Sequence, residues 1–369
     1  MQTPEFTLAP SYYTDPAVFE REKRGIMAGS WQMAGHVSQL RDPGDYIALE
    51  LAGERVFVLR DHDGELRGFF NVCQHRGHCL LEQEAGNTGK FIACPYHRWT
   101  YELDGRLRKA RNSDQTPGFD PGAIRLSPIA VEDFRGFVFI NLDPVATPMD
   151  ELYPGLREEM AAWAPDTENL HYAHGHWAYT HCNWKAAIEN YNECYHCRCV
   201  HSTFTRGIVD PESYRVQVEG GFMRHVSRAS KHVSYDRETM GEHHQDEYRS
   251  WYFWPLCSIQ CYPGGIINTY RWIPVSADQT IVWREWFLPH STPTVSEQQL
   301  IDLDRDTTFA EDLALLESVQ RGLHSRGYQG GPLVLDPSGE VDSEHPVRHI
   351  KQQVLQSLNE RPELQQDVG

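Results

Sequence analysis

Apolar and polar residues alternate with a period of two along much of the first half of the chain. This period places successive side chains on opposite faces, so it predicts β-strands with one buried face. Asp61-His62-Asp63-Gly64 and Leu103-Asp104-Gly105-Arg106 supply the turn residues of two hairpins. The predicted strands span residues 45–51, 55–59, 65–71 and 136–141. Together they predict a small antiparallel β domain over residues 41–145.

A helical segment is predicted before this domain. Thr14-Asp15-Pro16 combines a capping side chain with a proline in the first turn. The helix should extend to about Gly29, with Phe19 and Ile26 facing inward. We therefore assign residues 1–40 to an N-terminal helical segment.

The second half of the chain mixes both periods. Helical patterns surround Glu193 and Asp312, and four other segments are rich in β-branched and aromatic residues, which favour strands. These predicted strands are residues 220–230, 251–262, 266–274 and 280–288. The mixture predicts a second domain over residues 146–369, with helices beside an antiparallel sheet, and an α+β fold class for the whole chain.

Composition and charge exclude several functions. The 369 residues suffice for two domains with full cores, and no apolar run is long enough to span a membrane. A net charge of −18 argues against nucleic-acid binding. The N-terminus lacks a secretory signal, so we expect a cytoplasmic protein whose nine cysteines are reduced thiols. No G-x-G-x-x-G motif occurs, so flavin and nicotinamide chemistry should lie on another chain.

Two short patterns within the β domain carry metal-binding residues. Cys73-Gln74-His75 and Cys94-Pro95-Tyr96-His97 each supply one thiolate and one imidazole. Zinc also accepts mixed sets of Cys and His, but such zinc sites usually group Cys with Cys and His with His. One Cys and one His from each hairpin instead favour an exposed cluster of two irons of the Rieske type.

A second pattern indicates a different metal site. Glu193 and His196 are three residues apart and share one helix face, whereas His201 lies about half a turn off that face. Both imidazoles can reach one metal only if the helix distorts or ends between them, and we place that end near Cys199-Val200. Two His with one distant carboxylate would form an open ferrous site for O₂.

Asp312 is the expected third ligand of that site. Residues 307–323 predict an amphipathic helix with Phe309, Leu316 and Val319 along its apolar stripe. Asp312 lies on this stripe, where an acid is costly unless it is paired or bound to a metal. Its neighbour Glu311 is rotated off the stripe and is expected to be solvated.

These motifs resemble those of the large subunits of the Rieske non-haem iron oxygenases, in the form Cys-x-His-Arg-Gly-His and Cys-Pro-Tyr-His-x-Trp. The resemblance spans nearly the whole chain and implies two cofactors, a [2Fe-2S] cluster and a mononuclear Fe(II). The ligands that it implies are Cys73 and Cys94 on one iron of the cluster, His75 and His97 on the other, and His196, His201 and Asp312 on the mononuclear iron.

The resemblance gives Glu193 a separate, catalytic role. In the family, the acid three residues before the first iron His lies between the cluster of one subunit and the iron of its neighbour, and it hydrogen-bonds a His ligand on each side. That role implies a head-to-tail homotrimer. The missing dinucleotide motif implies a separate NAD(P)H-dependent reductase that carries flavin and iron–sulfur groups.

Glu193 also indicates a substrate class. Most ring-hydroxylating members have Asp at this position. With Glu there, the chain resembles the subgroup that acts on choline, carnitine, glycine betaine and proline betaine. A quaternary ammonium ion is recognised by aromatic faces through cation–π attraction. The residues that we expect to line the pocket are Tyr191, Tyr195, Tyr252 and Trp254, with Arg271 and Asn268 as candidates for a carboxylate.

The expected reaction is hydroxylation of an N-methyl group of a betaine such as glycine betaine or proline betaine, followed by release of formaldehyde. One alternative is attack on another carbon, as the carnitine and choline oxygenases do. A second is dihydroxylation of an aromatic ring, against which Glu193 counts. A third is a Rieske electron carrier without catalysis, against which the second metal pattern counts.

Overall fold

The computed structural model describes residues 4–235, 246–338 and 342–360. The chain divides into two compact units. The first, called here the β unit, is Met27–Arg157, and the second, the catalytic unit, combines Met1–Ile26 with Glu158–Gly369. The α+β fold class predicted from the sequence is confirmed.

These bounds differ from the predicted division at residues 40 and 145. The strand Gln32–His36 pairs with Phe137–Asn141 and therefore belongs to the β unit. Glu22 forms a fully buried ion pair with Lys185, with 2.7 Å between Oε1 and Nζ, so the first helices pack within the catalytic unit. A contact between residues so far apart in sequence leaves no local pattern.

The β unit contains one seven-stranded sheet and one three-stranded sheet. Its described strands are β1 (Gln32–His36), β2 (Asp45–Leu51), β3 (Glu54–Arg60), β4 (Leu66–Phe70), β5 (Ala85–Asn87), β6 (Ile92–Ala93), β7 (Thr100–Tyr101), β8 (Leu107–Lys109), β9 (Pro128–Phe134) and β10 (Phe137–Asn141). The larger sheet has the order β1-β10-β9-β4-β3-β2-β5 and the smaller one β6-β7-β8, and the paired strands are antiparallel. The predicted strands of this domain are confirmed to within two residues.

An apolar core fixes the base of the two metal-binding loops of the β unit. Cys73, Cys94 and Tyr101 are buried in the same cluster as Phe57 and Phe69. Because the loops start from this packed core, their positions follow from the packing of the strands below them.

The described helices of the chain are α1 (Ser11–Thr14), α2 (Pro16–Glu22), α3 (Met149–Leu152), α4 (Leu156–Trp163), α5 (Trp184–Asn192), α6 (Cys197–Val200), α7 (Ser202–Gly207), α8 (Val295–Asp304), α9 (Ala310–Leu323) and α10 (His345–Glu360). The predicted start of α2 is confirmed, since the Asp15 carboxylate accepts a hydrogen bond from the Ala17 N–H at 2.8 Å. A π-helical turn, Lys23–Met27, extends this helix almost to the predicted end. No described helix is long and apolar enough to cross a membrane.

The catalytic unit is built on a second seven-stranded antiparallel sheet. Its strands are β11 (His171–Thr180), β12 (Arg215–Glu219), β13 (Phe222–Arg228), β14 (Glu247–Phe253), β15 (Cys257–Cys261), β16 (Ile267–Ser276) and β17 (Gln279–Leu288), in the order β11-β17-β16-β15-β14-β13-β12. The single strand predicted over residues 251–262 was wrong. A turn at 254–256 that contains Pro255 divides it, since proline has no N–H to donate to the ladder.

One face of this sheet is covered by α5 and α9, which pack against each other and, through α5, against β16. Tyr270 and Trp272 lie two residues apart on β16 and project from that face, where their rings stack at 5.3 Å. The space between this face and the two helices contains the site predicted for the mononuclear iron.

Candidate metal centres and substrate cavity

The two metal-binding loops of the β unit have the same local structure. The Cys73 carbonyl accepts the Gly77 N–H at 2.9 Å, and the Cys94 carbonyl accepts the Arg98 N–H at 3.1 Å. Gly77 and Arg98 both have a positive φ, 69° and 61°. Each loop therefore turns back four residues after its Cys, which brings one Cys and one His from each loop to the same tip.

The four donor side chains sort into a sulfur pair and a nitrogen pair. Cys73 and Cys94 are buried free thiols, whereas the Nδ1 atoms of His75 and His97 lie 3.1 Å apart near the surface. Trp99 stacks on His75 at 4.5 Å and holds its ring in place. Two thiols and two imidazoles in this arrangement fit the donor set of a Rieske cluster.

Tyr101 contacts the sulfur pair and was not among the residues predicted from the sequence. Its Oη lies 3.2 Å from Cys73 Sγ and accepts the Gln74 N–H at 3.0 Å, so the phenol proton is available to the sulfur. Burial, with the hydrogen bond to Cys73, raises the pKa of Tyr101 and keeps it a donor. A buried tyrosine needs a polar partner, and this requirement was the available signal.

The second site brings together His196, His201 and Asp312, called here the triad. Their ligand atoms all lie within 4.8 Å of one another. The two Nε2 atoms are 3.0 Å apart, and Asp312 Oδ1 lies 3.0 Å from Nε2 of His201 and 3.6 Å from Nε2 of His196. His201 is fully buried. Two imidazoles and one carboxylate are the donor set of an open ferrous site.

Breaks in the helices allow this convergence. The predicted break is confirmed, since α6 ends at Val200 and His201 lies between α6 and α7. An earlier break was not predicted: α5 ends at Asn192, Glu193 is extended and His196 directly precedes α6, so the expectation that Glu193 and His196 share one helix face was wrong. Asp312 lies in the first turn of α9.

Both imidazoles of the triad have a carboxylate on their other nitrogen. Glu193 Oε1 lies 2.5 Å from Nδ1 of His196, and Glu311 Oε2 lies 2.8 Å from Nδ1 of His201. The expectation that Glu311 is solvated was therefore wrong. Val319 was also misplaced, because its side chain is 48% exposed while Phe309 and Leu316 are buried. The buried positions of α9 are Leu316, Gln320 and Leu323, so the buried stripe passes beside Val319.

The charges of the triad favour a bound cation. Burial lowers the pKa of His196, but hydrogen bonds to Asp312 and Glu193 outweigh this effect and raise it to about 10. Burial raises the pKa of Asp312, and the two imidazoles outweigh this and lower it. Without a metal, the imidazole of His196 therefore stays protonated beside the carboxylates. A metal ion that binds here displaces this proton.

A disulfide encloses His196. Cys194 and Cys197 are bonded to each other, with 4.9 Å between their Cα atoms. The expectation that all nine cysteines are reduced was wrong for this pair, and the other seven are free. The turn before α6 brings the two thiols together, a proximity that composition does not reveal.

A cavity next to the triad is walled by aromatic rings. Tyr191 lies 5.2 Å from Tyr270 and 4.9 Å from Trp272, measured between ring centroids, and Phe309 lies 6.4 Å from Tyr270. The other lining residues are Asn190, Asp312, Ala187, Val282, Leu313 and Leu316. The cavity is small and reaches Asp312 of the second site.

Of the four aromatic residues predicted for the pocket, Tyr191 lines this cavity. Tyr195 is instead 45% exposed at the surface. Tyr252 is fully buried behind the cavity and donates to the Pro255 carbonyl at 2.6 Å. Trp254 packs against Trp184 at 6.0 Å. Trp254 lies in the turn at 254–256 and not on β14, so it does not share a strand face with Tyr252 as the prediction required.

The sequence reading missed two residues of the cavity wall, Tyr270 and Phe309. Tyr270 shares a strand face with Trp272, so period two within β16 was the available signal. Of the two candidates for a carboxylate, Arg271 lies on the other face and donates to Glu285 at 2.8 Å. Asn268 is fully buried on the face of Tyr270.

Comparison with known families identifies both parts of the chain. Residues 30–120 match the Rieske [2Fe-2S] domain, and residues 167–360 match the catalytic domain of the ring-hydroxylating alpha subunits. The carnitine monooxygenase oxygenase subunit of Escherichia coli K12 is 35% identical over 94% of this chain and 92% of its own length. The glycine betaine monooxygenase oxygenase subunit of Chromohalobacter salexigens is 29% identical over 89% and 82%.

Solved structures agree. The quaternary ammonium Rieske monooxygenase CntA in complex with L-carnitine has a TM-score of 0.85 at 34% identity, with 96% of each chain covered. Naphthalene 1,2-dioxygenase with indole bound has a TM-score of 0.79 at 20% identity over 96% of this chain and 92% of its own, which shows a shared fold alone.

The fold and the two sites define the oxygenase component of a Rieske non-haem iron enzyme. The chain belongs to the Rieske oxygenase alpha subunits, in the subgroup of quaternary ammonium monooxygenases. Its cofactors are a Rieske [2Fe-2S] cluster and a mononuclear iron.

Proposed function

We propose that this chain oxidises a carbon bonded to the quaternary nitrogen of a small betaine. The cluster would be held by Cys73, Cys94, His75 and His97, and the mononuclear iron by His196, His201 and Asp312. When bound, these groups supply an electron and a ferrous site for O₂. The protein provides the orientation of the ligands and the recognition of the substrate.

The aromatic cavity is the observation that carries this proposal. A quaternary ammonium ion cannot donate a hydrogen bond, and it binds where aromatic faces replace its hydration shell. Tyr191, Tyr270, Trp272 and Phe309 provide such faces beside Asp312. The Tyr191 hydroxyl is held by Ser250 at 2.6 Å and by Gln260 at 2.7 Å, so its ring keeps one orientation.

An ammonium ion held there has two kinds of carbon next to its nitrogen. Hydroxylation of an N-methyl group forms a hemiaminal, whose O–H loses a proton while the C–N bond breaks and its electron pair returns to nitrogen. The products are formaldehyde and the demethylated amine. Hydroxylation of the N-methylene carbon collapses in the same way to an aldehyde and trimethylamine.

We infer N-methyl oxidation of a compound such as glycine betaine or proline betaine as the reaction. The second candidate is oxidation of the N-methylene carbon. It is supported by the 35% identity to the carnitine monooxygenase subunit, against 29% to the glycine betaine enzyme. Both reactions consume one O₂, two electrons and two protons, and both release one water with the hydroxylated product.

The electron route sets the partners that we propose. His75 is exposed at the tip of the β unit, where a second copy of the chain can reach it. Glu193 is bonded to His196 through Nδ1 and the backbone N–H. We infer a head-to-tail homotrimer in which Glu193 joins the two metal centres, as inter-subunit electron transfer is described for a similar quaternary ammonium Rieske monooxygenase. A separate NAD(P)H-dependent reductase with flavin and iron–sulfur groups would reduce the cluster.

A substrate panel tests this function. Chemically reduced holoenzyme is mixed with O₂ and glycine betaine, proline betaine, L-carnitine or γ-butyrobetaine, and formaldehyde and trimethylamine are assayed. Each compound is paired with the neutral isostere in which carbon replaces nitrogen. We expect product from at least one of the quaternary ammonium compounds. Its neutral isostere should bind more weakly by about tenfold or more, since a desolvated cation–π contact contributes about 2 kcal/mol.

A pair of cavity variants sharpens the test. Trp272→Phe retains an aromatic face, whereas Trp272→Leu does not. We expect the first to retain most of the preference for the charged compound and the second to lose it. Equal binding of charged compound and isostere by the unmodified enzyme would contradict the proposed substrate class.

A further inference from the structure

Asn190 belongs both to the cavity wall and to the surroundings of the triad. Its carboxamide lines the cavity together with Asp312 and the aromatic residues. Its Nδ2 also lies 3.4 Å from Nε2 of His196, the nitrogen that faces His201 and Asp312. A hydrogen-bonding side chain therefore stands where a substrate in the cavity and a metal in the triad would meet.

The protonation of His196 shows what the carboxamide does. The Glu193 carboxylate accepts from Nδ1 of His196 at 2.5 Å, so Nδ1 carries the proton. With a metal bound, the neutral ring would give its Nε2 lone pair to the metal. Asn190 Nδ2, 3.4 Å from that nitrogen, would then have no acceptor on His196, and its N–H would be available at the cavity side of the triad.

The neighbouring polar group of the cavity wall is already occupied. The Tyr191 hydroxyl is bonded to Ser250 and Gln260. Asn190 is thus a donor in a wall otherwise formed largely by aromatic and aliphatic side chains. A donor in such surroundings interacts strongly with developing negative charge, because the local dielectric constant is low.

We propose that Asn190 is a positioning residue that ties the reduction of O₂ to hydroxylation of the bound substrate. With iron held by the triad, its N–H would be available to a hydrogen-bond acceptor on the cavity side of the site. The proposal rests on the proposed function, because it requires His196, His201 and Asp312 to hold iron. In the coupled reaction, C–H, O₂, two electrons and two protons give C–OH and water. In the uncoupled reaction, O₂, two electrons and two protons give hydrogen peroxide.

Asn190→Leu tests the proposal, because it preserves the branched shape of the side chain and removes the donor. We expect the variant to retain its iron and Rieske spectrum while peroxide per product rises by about tenfold or more, the factor that corresponds to a hydrogen bond to a charged group. Asn169→Leu, the same change at an exposed position, should keep the ratio of the unmodified enzyme. Asn190→Ser, which retains a hydroxyl donor, should restore part of the coupling and serves if the leucine variant does not fold.

A spectroscopic measurement separates this role from packing. Nitric oxide binds ferrous iron in place of O₂, and the electron paramagnetic resonance signal of that complex reports hydrogen bonds to the diatomic ligand. We expect Asn190→Leu to change the signal and Asn169→Leu to leave it unchanged. An unchanged signal with unchanged peroxide per product would overturn the proposal, as would loss of iron from Asn190→Leu. Absence of iron or product in the unmodified enzyme would instead refute the proposed function.

Discussion

Oε2 of Glu311 lies 2.8 Å from Nδ1 of His201. The contact repeats the one that Glu193 makes with His196, so each imidazole in its neutral form keeps its proton on Nδ1 and presents the lone pair of Nε2. These two Nε2 atoms face each other at 3.0 Å. Two lone pairs at this distance repel each other unless a cation lies between them, so the two glutamates prepare the triad for a metal.

The first prediction concerns Glu311. Glu311→Ala should lower the affinity for the mononuclear iron by about 10- to 100-fold, because the orientation and basicity of His201 lose their support. Glu311→Gln retains an acceptor oxygen and should lose less. Iron that remains after dialysis against a chelator measures the effect, with the Rieske absorption as an internal control. Equal retention in Glu311→Ala and the unmodified enzyme would show that the contact is incidental.

The second prediction concerns the choice between neighbouring acids. Asp312→Ala should abolish turnover and lower the iron content from three atoms per chain towards the two of the cluster. His196→Ala and His201→Ala should do the same while the Rieske spectrum persists. Iron analysis and a turnover assay on each variant are sufficient. An active Asp312→Ala beside an inactive Glu311→Ala would make Glu311 the third ligand.

The third prediction concerns the cluster potential. Tyr101→Phe removes the donor 3.2 Å from Cys73 Sγ. Hydrogen bonds to the sulfurs stabilise the reduced, more negative cluster, so the variant should have a lower reduction potential with an otherwise similar spectrum. A redox titration monitored by Rieske absorption measures this change. Cys73→Ser is the reference for a lost cluster and should show no Rieske signal. A potential unchanged in Tyr101→Phe would place the phenol proton elsewhere.

The fourth prediction concerns stability and pH. Burial raises the pKa of Glu189 from 4.5 to about 8, although Tyr13 donates to its carboxylate at 2.8 Å. Between these values the unfolded chain has released the proton and the folded chain retains it. Folding stability should therefore fall as pH rises through this range, by up to about 1.4 kcal/mol per pH unit from this group.

Glu189→Gln should remove this part of the pH dependence. We expect the variant to gain stability relative to the unmodified enzyme between pH 5 and pH 8, measured by thermal unfolding at both values. Glu84→Gln, at an exposed position, is the matched control and should run parallel to the unmodified enzyme. A parallel course for Glu189→Gln as well would mean that Glu189 is ionised in the folded protein.

The structure brings together the residues that local motifs predicted for each metal site. The strand pairs around Cys73 and Cys94 and the helix break at Val200 follow from alternation, turn residues and short spacings. Asp312 was found because an acid on an apolar stripe requires a partner. These signals are contained within a few residues of sequence.

Contacts between distant segments could not be predicted in this way. The bond of Glu311 to His201 joins residues 110 positions apart, and the ion pair of Glu22 with Lys185 joins residues 163 apart. The aromatic wall was predicted only for Tyr191, because a turn at Pro255 changes which strand faces line the cavity. Such features depend on tertiary packing, which no window of sequence contains.

The central claim is that an electron from the Rieske cluster reaches a ferrous site where a quaternary ammonium compound is oxidised. A single turnover of reduced enzyme with substrate and O₂ tests it most directly, with cluster reoxidation followed by stopped flow and the organic product assayed in the same sample. We predict that substrate triggers reoxidation and that formaldehyde or trimethylamine appears with it. Glu193→Ala should retain three irons per chain and reoxidise more slowly by orders of magnitude, with Glu193→Asp between the two. Reoxidation of Glu193→Ala at the unmodified rate, or no product from any quaternary ammonium compound, would contradict the account.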